Sequence, residues 1–218
     1  MTGSVGNDQQ GPSARHRYNR WSRYYNWLSS AGERRLQRAG IEMLAGNPDE
    51  RILDLGCGTG TAQFEMVHTL PETTCYGIDL SEGMLHVARR SATRDGQAFH
   101  LVQGDLHHLP VSTGAADAVF MSFTLELFPE DDLERVLGEV RRVLSNGGRL
   151  VLVCMANTIP KTWILRLYEW LHLHLPDWVD CRPIDARSWL LRADFRIEQV
   201  QRKSIFGLPV DIIAAQVD

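Results

Sequence analysis

The stretch LDLGCGTG, Leu53 to Gly60, constrains this chain more than any other. Its first half is apolar around a single acid and reads as the end of a buried strand. Its second half places glycines at Gly56, Gly58 and Gly60, directly before helical sequence resumes at Thr61. Glycines recur in this way where the backbone must turn tightly and let a ligand touch it. A dinucleotide-binding turn has the spacing G-x-G-x-x-G, with the pyrophosphate seated on the following helix. Counted from Gly56, the third glycine of that pattern would fall at Thr61, and counted from Gly58 it would fall at Gln63.

Around this loop, apolar runs and helical periodicities alternate. RILDLG (Arg51 to Gly56), TCYGID (Thr74 to Asp79), AFHLVQGD (Ala98 to Asp105), ADAVFMSF (Ala116 to Phe123) and RLVLVCM (Arg149 to Met155) read as five strands. Between them the spacing predicts helices over Thr61 to Leu70, Glu82 to Ser91 and Asp131 to Val143. Ser81 is an N-cap for the second of these, and Asn146-Gly147-Gly148 is a stop for the third. Two more helices, Ala14 to Leu28 and Gly32 to Ala45, precede the first strand. This rhythm implies a parallel sheet covered on both faces. After the fifth strand a long helix (Thr162 to Leu175) and a short one (Ala186 to Arg192) lead into two strands with a turn at Gly207 and Pro209. No repeat or second core interrupts the pattern. The expected organisation is a disordered tail over residues 1–14 and a single domain over 15–218.

Bulk properties narrow the partners. The net charge is -4, whereas nucleic-acid binders usually carry a basic surplus. Cys57, Cys75, Cys154 and Cys181 are scattered without a C-x-x-C pair and read as reduced thiols. No apolar run approaches the ~20 residues of a membrane-spanning helix, and the polar N-terminus lacks the apolar core of a signal peptide. A cytoplasmic protein is expected.

The order acid, then G-x-G-x-G, resembles the signature of class I methyltransferases that use S-adenosyl-L-methionine. From Tyr18 to Met155 the chain is similar to the methyltransferases of ubiquinone and menaquinone biosynthesis. The residues that carry the likeness are YNRWSRYYNWL, LDLGCGTG, GIDLSEGML, GDLHHLPVSTGAADAVFMSF and RRVLSNGGRLVLV. The likeness implies a Rossmann-like α/β fold: a mostly parallel seven-stranded sheet with an antiparallel C-terminal hairpin strand and helices on both faces. It also implies that Asp54, Gly56, Cys57, Gly58, Thr59 and Gly60 surround the amino-acid part of the cofactor. An ammonium and a sulfonium favour a carboxylate there, which would repel a pyrophosphate. Asp79 is expected on the ribose hydroxyls and Gly104 and Asp105 near the adenine amino group. Leu80, Met84 and Leu106 would wall the purine, with Ser122 and Phe123 at the lip where the methyl group meets its acceptor. The product would be S-adenosyl-L-homocysteine (SAH).

The acceptor region diverges from the quinone enzymes, so its residues are read on their own terms. Methyl transfer from a sulfonium needs positioning and exclusion of water, and requires no metal. Tyr18, Trp21, Ser22 and Tyr25 share one face of the first helix. They would form a lid over the acceptor (residues 15–45), with Tyr18 or Tyr25 near the methyl group, or else pack that helix on the sheet. Glu126 reads either as a solvated residue opening the next segment or as a group that orients the acceptor or acts as base. The insertion over residues 156–193 frames the acceptor, with Tyr168, Leu171 and His172 bordering it. Trp163, Arg166 and Trp170 form a stripe suited to stacking, a dimer contact or a membrane surface. A small, lipophilic, quinone-like or lipid-like acceptor is the first expectation. A phospholipid headgroup, small amine or thiol is the second, and RNA the third. Either a monomer or a homodimer fits.

Overall fold

The computed structural model describes residues 32–157 and 182–218. The tail, the helix expected over Ala14 to Leu28 and the helix expected over Thr162 to Leu175 lie outside the described residues. So do Tyr18, Trp21, Tyr25, Tyr168, Leu171 and His172.

In chain order the elements are α1 (Gly32–Leu44), β1 (Arg51–Leu55), α2 (Thr61–Thr69), β2 (Thr74–Asp79), α3 (Glu82–Arg94), β3 (His100–Gln103) and β4 (Ala116–Ser122). After a short 3-10 turn (Leu125–Leu127) come α4 (Glu130–Val143), β5 (Leu144–Met155), α5 (Ala186–Arg192), β6 (Arg196–Ile205) and β7 (Leu208–Gln216). They build one seven-stranded sheet in the order β3-β2-β1-β4-β5-β7-β6. Strands β1 to β5 are parallel, and β7 runs antiparallel to both β5 and β6. The strand order reverses between β1 and β4, which makes the ends of these two strands the switch point of the sheet.

Both faces of the central strands are buried, and the period-2 alternation of strand side chains divides them cleanly. Ile52, Ala118, Phe120, Val151 and Val153 face one apolar core with Leu36, Ile41 and Leu44 of α1 and Ala62 and Met66 of α2. Leu53, Val119, Met121, Leu150 and Leu152 face the other, with Leu133, Val136, Leu137 and Val140 of α4 and Leu190 of α5. Caps and charges mark the helix ends. The Ser81 hydroxyl accepts from the Met84 N–H at 3.3 Å, as expected. Helix α4 opens with Glu130, Asp131 and Asp132 and closes with Arg141 and Arg142, so it complements the helix dipole at both ends.

Several boundaries differ from the sequence expectation; α3, for one, runs on past Ser91 to Arg94. Strand β5 starts at Leu144 rather than Arg149. Leu144 takes an extended conformation at the end of α4 and pairs with Ala116, so the Asn146-Gly147-Gly148 stop lies inside the ladder as an irregularity, with Gly147 at φ 70°. The hairpin turns at Phe206 and Gly207, and Pro209 belongs to β7 opposite Ser204, near the strand start where proline is tolerated. Strand β3 is shorter than expected, ending at Gln103, and the Gly104 N–H makes the last ladder bond, to the Asp79 carbonyl at 3.1 Å.

Helix α1 sits tight on the sheet through Gly40. A Cβ there would lie 2.8 Å from Val153 and 2.9 Å from Phe120. Gly138 on α4, by contrast, faces open space. Gly40→Val should therefore destabilise by about 1–3 kcal/mol through overpacking, while Gly138→Ala should stabilise by up to ~1 kcal/mol through helix propensity. Urea midpoints of the two variants check the opposite signs.

Candidate functional site

The backbone after β1 folds into the space between the ends of β1, β2 and β4. Gly56, Gly58 and Gly60 all have positive φ, at 74°, 53° and 82°. Gly56 is needed twice over, since a Cβ on it would also lie 2.4 Å from the Thr124 side chain beyond β4. The turn is anchored to β2 by Gly56 and Cys57, whose N–H groups donate to the Ile78 carbonyl at 2.8 and 3.2 Å.

Asp79, at the end of β2, organises this turn. One carboxylate oxygen accepts from the Gly58 N–H and the other from the Ser81 N–H, both at 2.8 Å. The loop after β1 and the helix start after β2 are thereby tied to one side chain. Burial raises the Asp79 pKa against the two hydrogen bonds that lower it. Asp54 lies beside it at 1% exposure, and its Oδ2 has no partner. Burial, reinforced by the charge of Asp79, pushes Asp54 up to about 8. Burial and the same two acids also keep the Cys57 thiol protonated, and its sulfur lies 2.8 Å from where a Cβ on Gly77 would be.

The remaining expected residues are distributed around this pair. Thr59 lies in the turn within 3.5 Å of the Thr61 hydroxyl. Leu80 is 45% exposed at the end of β2, and neighbouring β3 presents Val102 at 41%. Together they form an apolar ledge at the strand ends, with Met84 and Leu106 buried behind it. A Cβ on Gly104 would lie 2.8 Å from Pro110 and 2.9 Å from Ile78, so only glycine fits there. Asp105 is exposed, with Oδ1 accepting from the His107 N–H at 2.9 Å and meeting the His107 ring nitrogen at 2.8 Å. Burial acts to raise Asp105, but these contacts hold it below the ordinary carboxylate range.

On the far side of the switch point, the Ser122 hydroxyl is buried without a partner. Phe123 adopts φ 53°, an unfavourable conformation for a residue with a bulky side chain. Such strain, of order 1–3 kcal/mol, persists where the surroundings over-determine it, commonly at ligand sites. Glu126 departs from the solvated reading. It is 1% exposed, with one carboxylate oxygen accepting from the Met155 N–H at 3.1 Å.

Three further residues belong to this region. Thr124 packs under Gly56. Gln63 is buried with its amide nitrogen unpartnered, beside Cys57 and Gly77. Gly77 signals this crowding in the sequence, since glycine inside a strand marks a close approach. Nothing in the sequence signals Gln63 or Thr124.

Residues 52–148 match the family model described as a methyltransferase domain. A demethylmenaquinone methyltransferase of Thermus thermophilus is 36% identical over 126 residues, which are 58% of this chain and 56% of that protein. A malonyl-[acyl-carrier protein] O-methyltransferase of Methylococcus capsulatus is 38% identical over 112 residues, 51% of this chain and 39% of that protein. The chain thus spans about half or less of the length of these two relatives. The fold matches the magnesium protoporphyrin IX methyltransferase of Synechocystis, whose structure has bound SAH. That match has a TM-score of 0.72 at 20% identity and covers 92% of this chain and 94% of the other.

The residues present fit S-adenosylmethionine, the cofactor of such domains. Among the described residues the unpartnered buried side-chain atoms are Gln37 Oε1, Asp54 Oδ2, Gln63 Nε2, Ser122 Oγ and Glu126 Oε2. All but Gln37 belong to elements meeting at the switch point, and buried polar groups without partners are otherwise rare. A buried carboxylate pair suits a ligand with two positive centres and does not suit a pyrophosphate.

Linkage gives a sign for the free protein. Asp54 has its pKa raised above the value of about 4 for an unfolded chain, so its contribution to stability is complete at low pH. It is lost as pH rises through about 8. Without cofactor, the urea midpoint should fall as pH rises from 6 to about 8, and Asp54→Asn should lessen that fall, the remainder coming from Glu126, which burial also raises to about 8.

Proposed function

We propose that this class I S-adenosylmethionine-dependent methyltransferase domain transfers a methyl group to a small, lipophilic acceptor by in-line displacement. The observation that carries the reading is the buried Asp54 carboxyl beside Asp79, its Oδ2 without a partner, under a glycine turn at the switch point of the sheet. Asp54 with Gly56, Cys57, Gly58, Thr59 and Gly60 would hold the charged amino-acid end of the cofactor. Asp79 keeps lone pairs for ribose hydroxyls after accepting its two backbone bonds. The ledge of Leu80 with Met84 and Leu106 would carry the purine, with Gly104 and Asp105 at its edge. Ser122 and Phe123 would form the lip facing the acceptor.

When bound, the cofactor supplies a methyl group already activated by its positively charged sulfur. The chain's own residues then have to orient the acceptor and keep water out. The lipophilic character of the acceptor is inferred from the aromatic set Tyr18, Trp21 and Tyr25 and the mixed set Tyr168, Leu171 and His172, supported by relatives named for a demethylated menaquinone. A cytoplasmic, monomeric or homodimeric enzyme, with the Trp163 and Trp170 stripe resting against a membrane surface, fits this reading. An N- or S-methyltransferase for a phospholipid headgroup, amine or thiol is the second reading. The net charge of -4 disfavours RNA.

Asp79→Asn keeps the size of the side chain but removes its charge and one of the two oxygens that accept from Gly58 and Ser81. It should weaken S-adenosylmethionine binding at least ~10-fold by calorimetry, the order expected when a charge-assisted hydrogen bond becomes a neutral one, while the circular dichroism spectrum is unchanged. Unaltered affinity would show that the cofactor is held elsewhere.

A further inference from the structure

Glu126 is the buried acid that the cofactor contacts leave without a task. It sits on the 3-10 turn after β4, and the Met155 N–H that it accepts belongs to the last residue of β5. The carboxyl is thus held between the ends of two adjacent central strands, next along the sheet from the glycine turn. Its second oxygen, Oε2, is buried without a partner. The nearby Ser122 hydroxyl is in the same condition. A carboxyl group fixed by one oxygen and open at the other is the arrangement of a side chain that exchanges a proton with something not part of the chain. The charge of Glu33 at the start of α1 disfavours a second one on Glu126, and Glu126 in turn helps burial to keep the Cys154 thiol on β5 neutral.

We propose that Glu126 takes the proton from the acceptor atom that receives the methyl group, and that this acceptor is a neutral hydroxyl or an amine rather than a carboxylate. The inference rests on the methyltransferase reading above. The acceptor's lone pair forms the new bond to the methyl carbon as the carbon–sulfur bond breaks, its electrons remaining on a now neutral sulfur. The acceptor's proton passes to the Glu126 carboxylate, which becomes the neutral acid and returns the proton to solvent between turnovers. A carboxylate acceptor would need no base, since it carries no proton to lose. Burial, opposed by the Met155 N–H bond, pushes Glu126 up to about 8, a value suited to a base working near neutral pH.

Glu126→Gln tests this, because an amide oxygen can still accept from the Met155 N–H. Wild type and variant are incubated with methyl-labelled S-adenosylmethionine and a solvent extract of cells, and labelled products are identified by mass spectrometry. The expected result is a methylated hydroxyl or amine from wild type, a loss of 10²-fold or more in the variant, and cofactor affinity within about twofold. At saturating cofactor, where Asp54 is already ionised, wild-type kcat should rise with pH to a plateau above about 8. Independently of activity, the infrared difference between the two apo proteins should show one carboxylic acid band that disappears with a midpoint near that pH. A labelled methyl ester, a variant as fast as wild type, or a Glu126 band already absent at pH 6 would each overturn the proposal while leaving methyl transfer intact. No labelled product from wild type would overturn the methyltransferase reading itself. If the variant does not fold, the wild-type kcat profile decides, a flat one counting against Glu126.

Discussion

Two backbone N–H groups converging on the Asp79 carboxylate hold the switch point together. Gly58 and Ser81 belong to different loops, and a single buried side chain fixes their separation. With the loops so fixed, Asp54 is brought close to a second acid in a dry environment, where one of the two acids must carry a proton. The arrangement is unfavourable for an empty protein and favourable for a cationic ligand. Its cost is concentrated where the chain also stores backbone strain, at Phe123. The two apolar cores on either side of the sheet supply the stability that lets this region remain strained.

The sheet separates tasks along its width. Strands β1 and β2 end in acids arranged around the glycine turn, and the ledge of Leu80 and Val102 lies beyond them. Strands β4 and β5 end around a different acid, Glu126, with an open hydroxyl at Ser122. Thr124 joins the halves, since its side chain fills the space that a Cβ on Gly56 would need. A ligand spanning the reversal of strand order would meet fixed backbone and carboxylates on one side and a proton-exchanging carboxyl on the other.

Much of this was legible in the sequence, for identifiable reasons. Strand β2 falls on Thr74 to Asp79 as expected, because a continuous apolar run ends there in an acid and a capping serine. The G-x-G-x-G spacing marks the turn, because only glycine takes three positive φ angles at alternate positions without penalty. The start of β5 was hidden because Asn146-Gly147-Gly148 has the composition of a turn while Leu144 is drawn into pairing by its neighbour in space, Ala116. Glu126 was harder still. A glutamate four residues past the end of β4 has no local mark of burial, and its environment is made by Met155 and Glu33, distant in sequence. Asp105 shows the reverse case. The sequence motif puts it at the end of the third strand, whereas β3 stops at Gln103 and Asp105 lies in the loop that follows, which sets its exposure and its pairing with His107.

The account turns on Asp54 surrendering its proton when a positively charged cofactor arrives. Calorimetric titration of the protein with S-adenosylmethionine at pH 7, in buffers of widely different ionisation enthalpy, measures that proton directly. The account predicts net release approaching one proton per cofactor bound, with affinity that tightens as pH rises toward about 8 and then levels. Binding with no proton exchange and no dependence on pH in that range would contradict it.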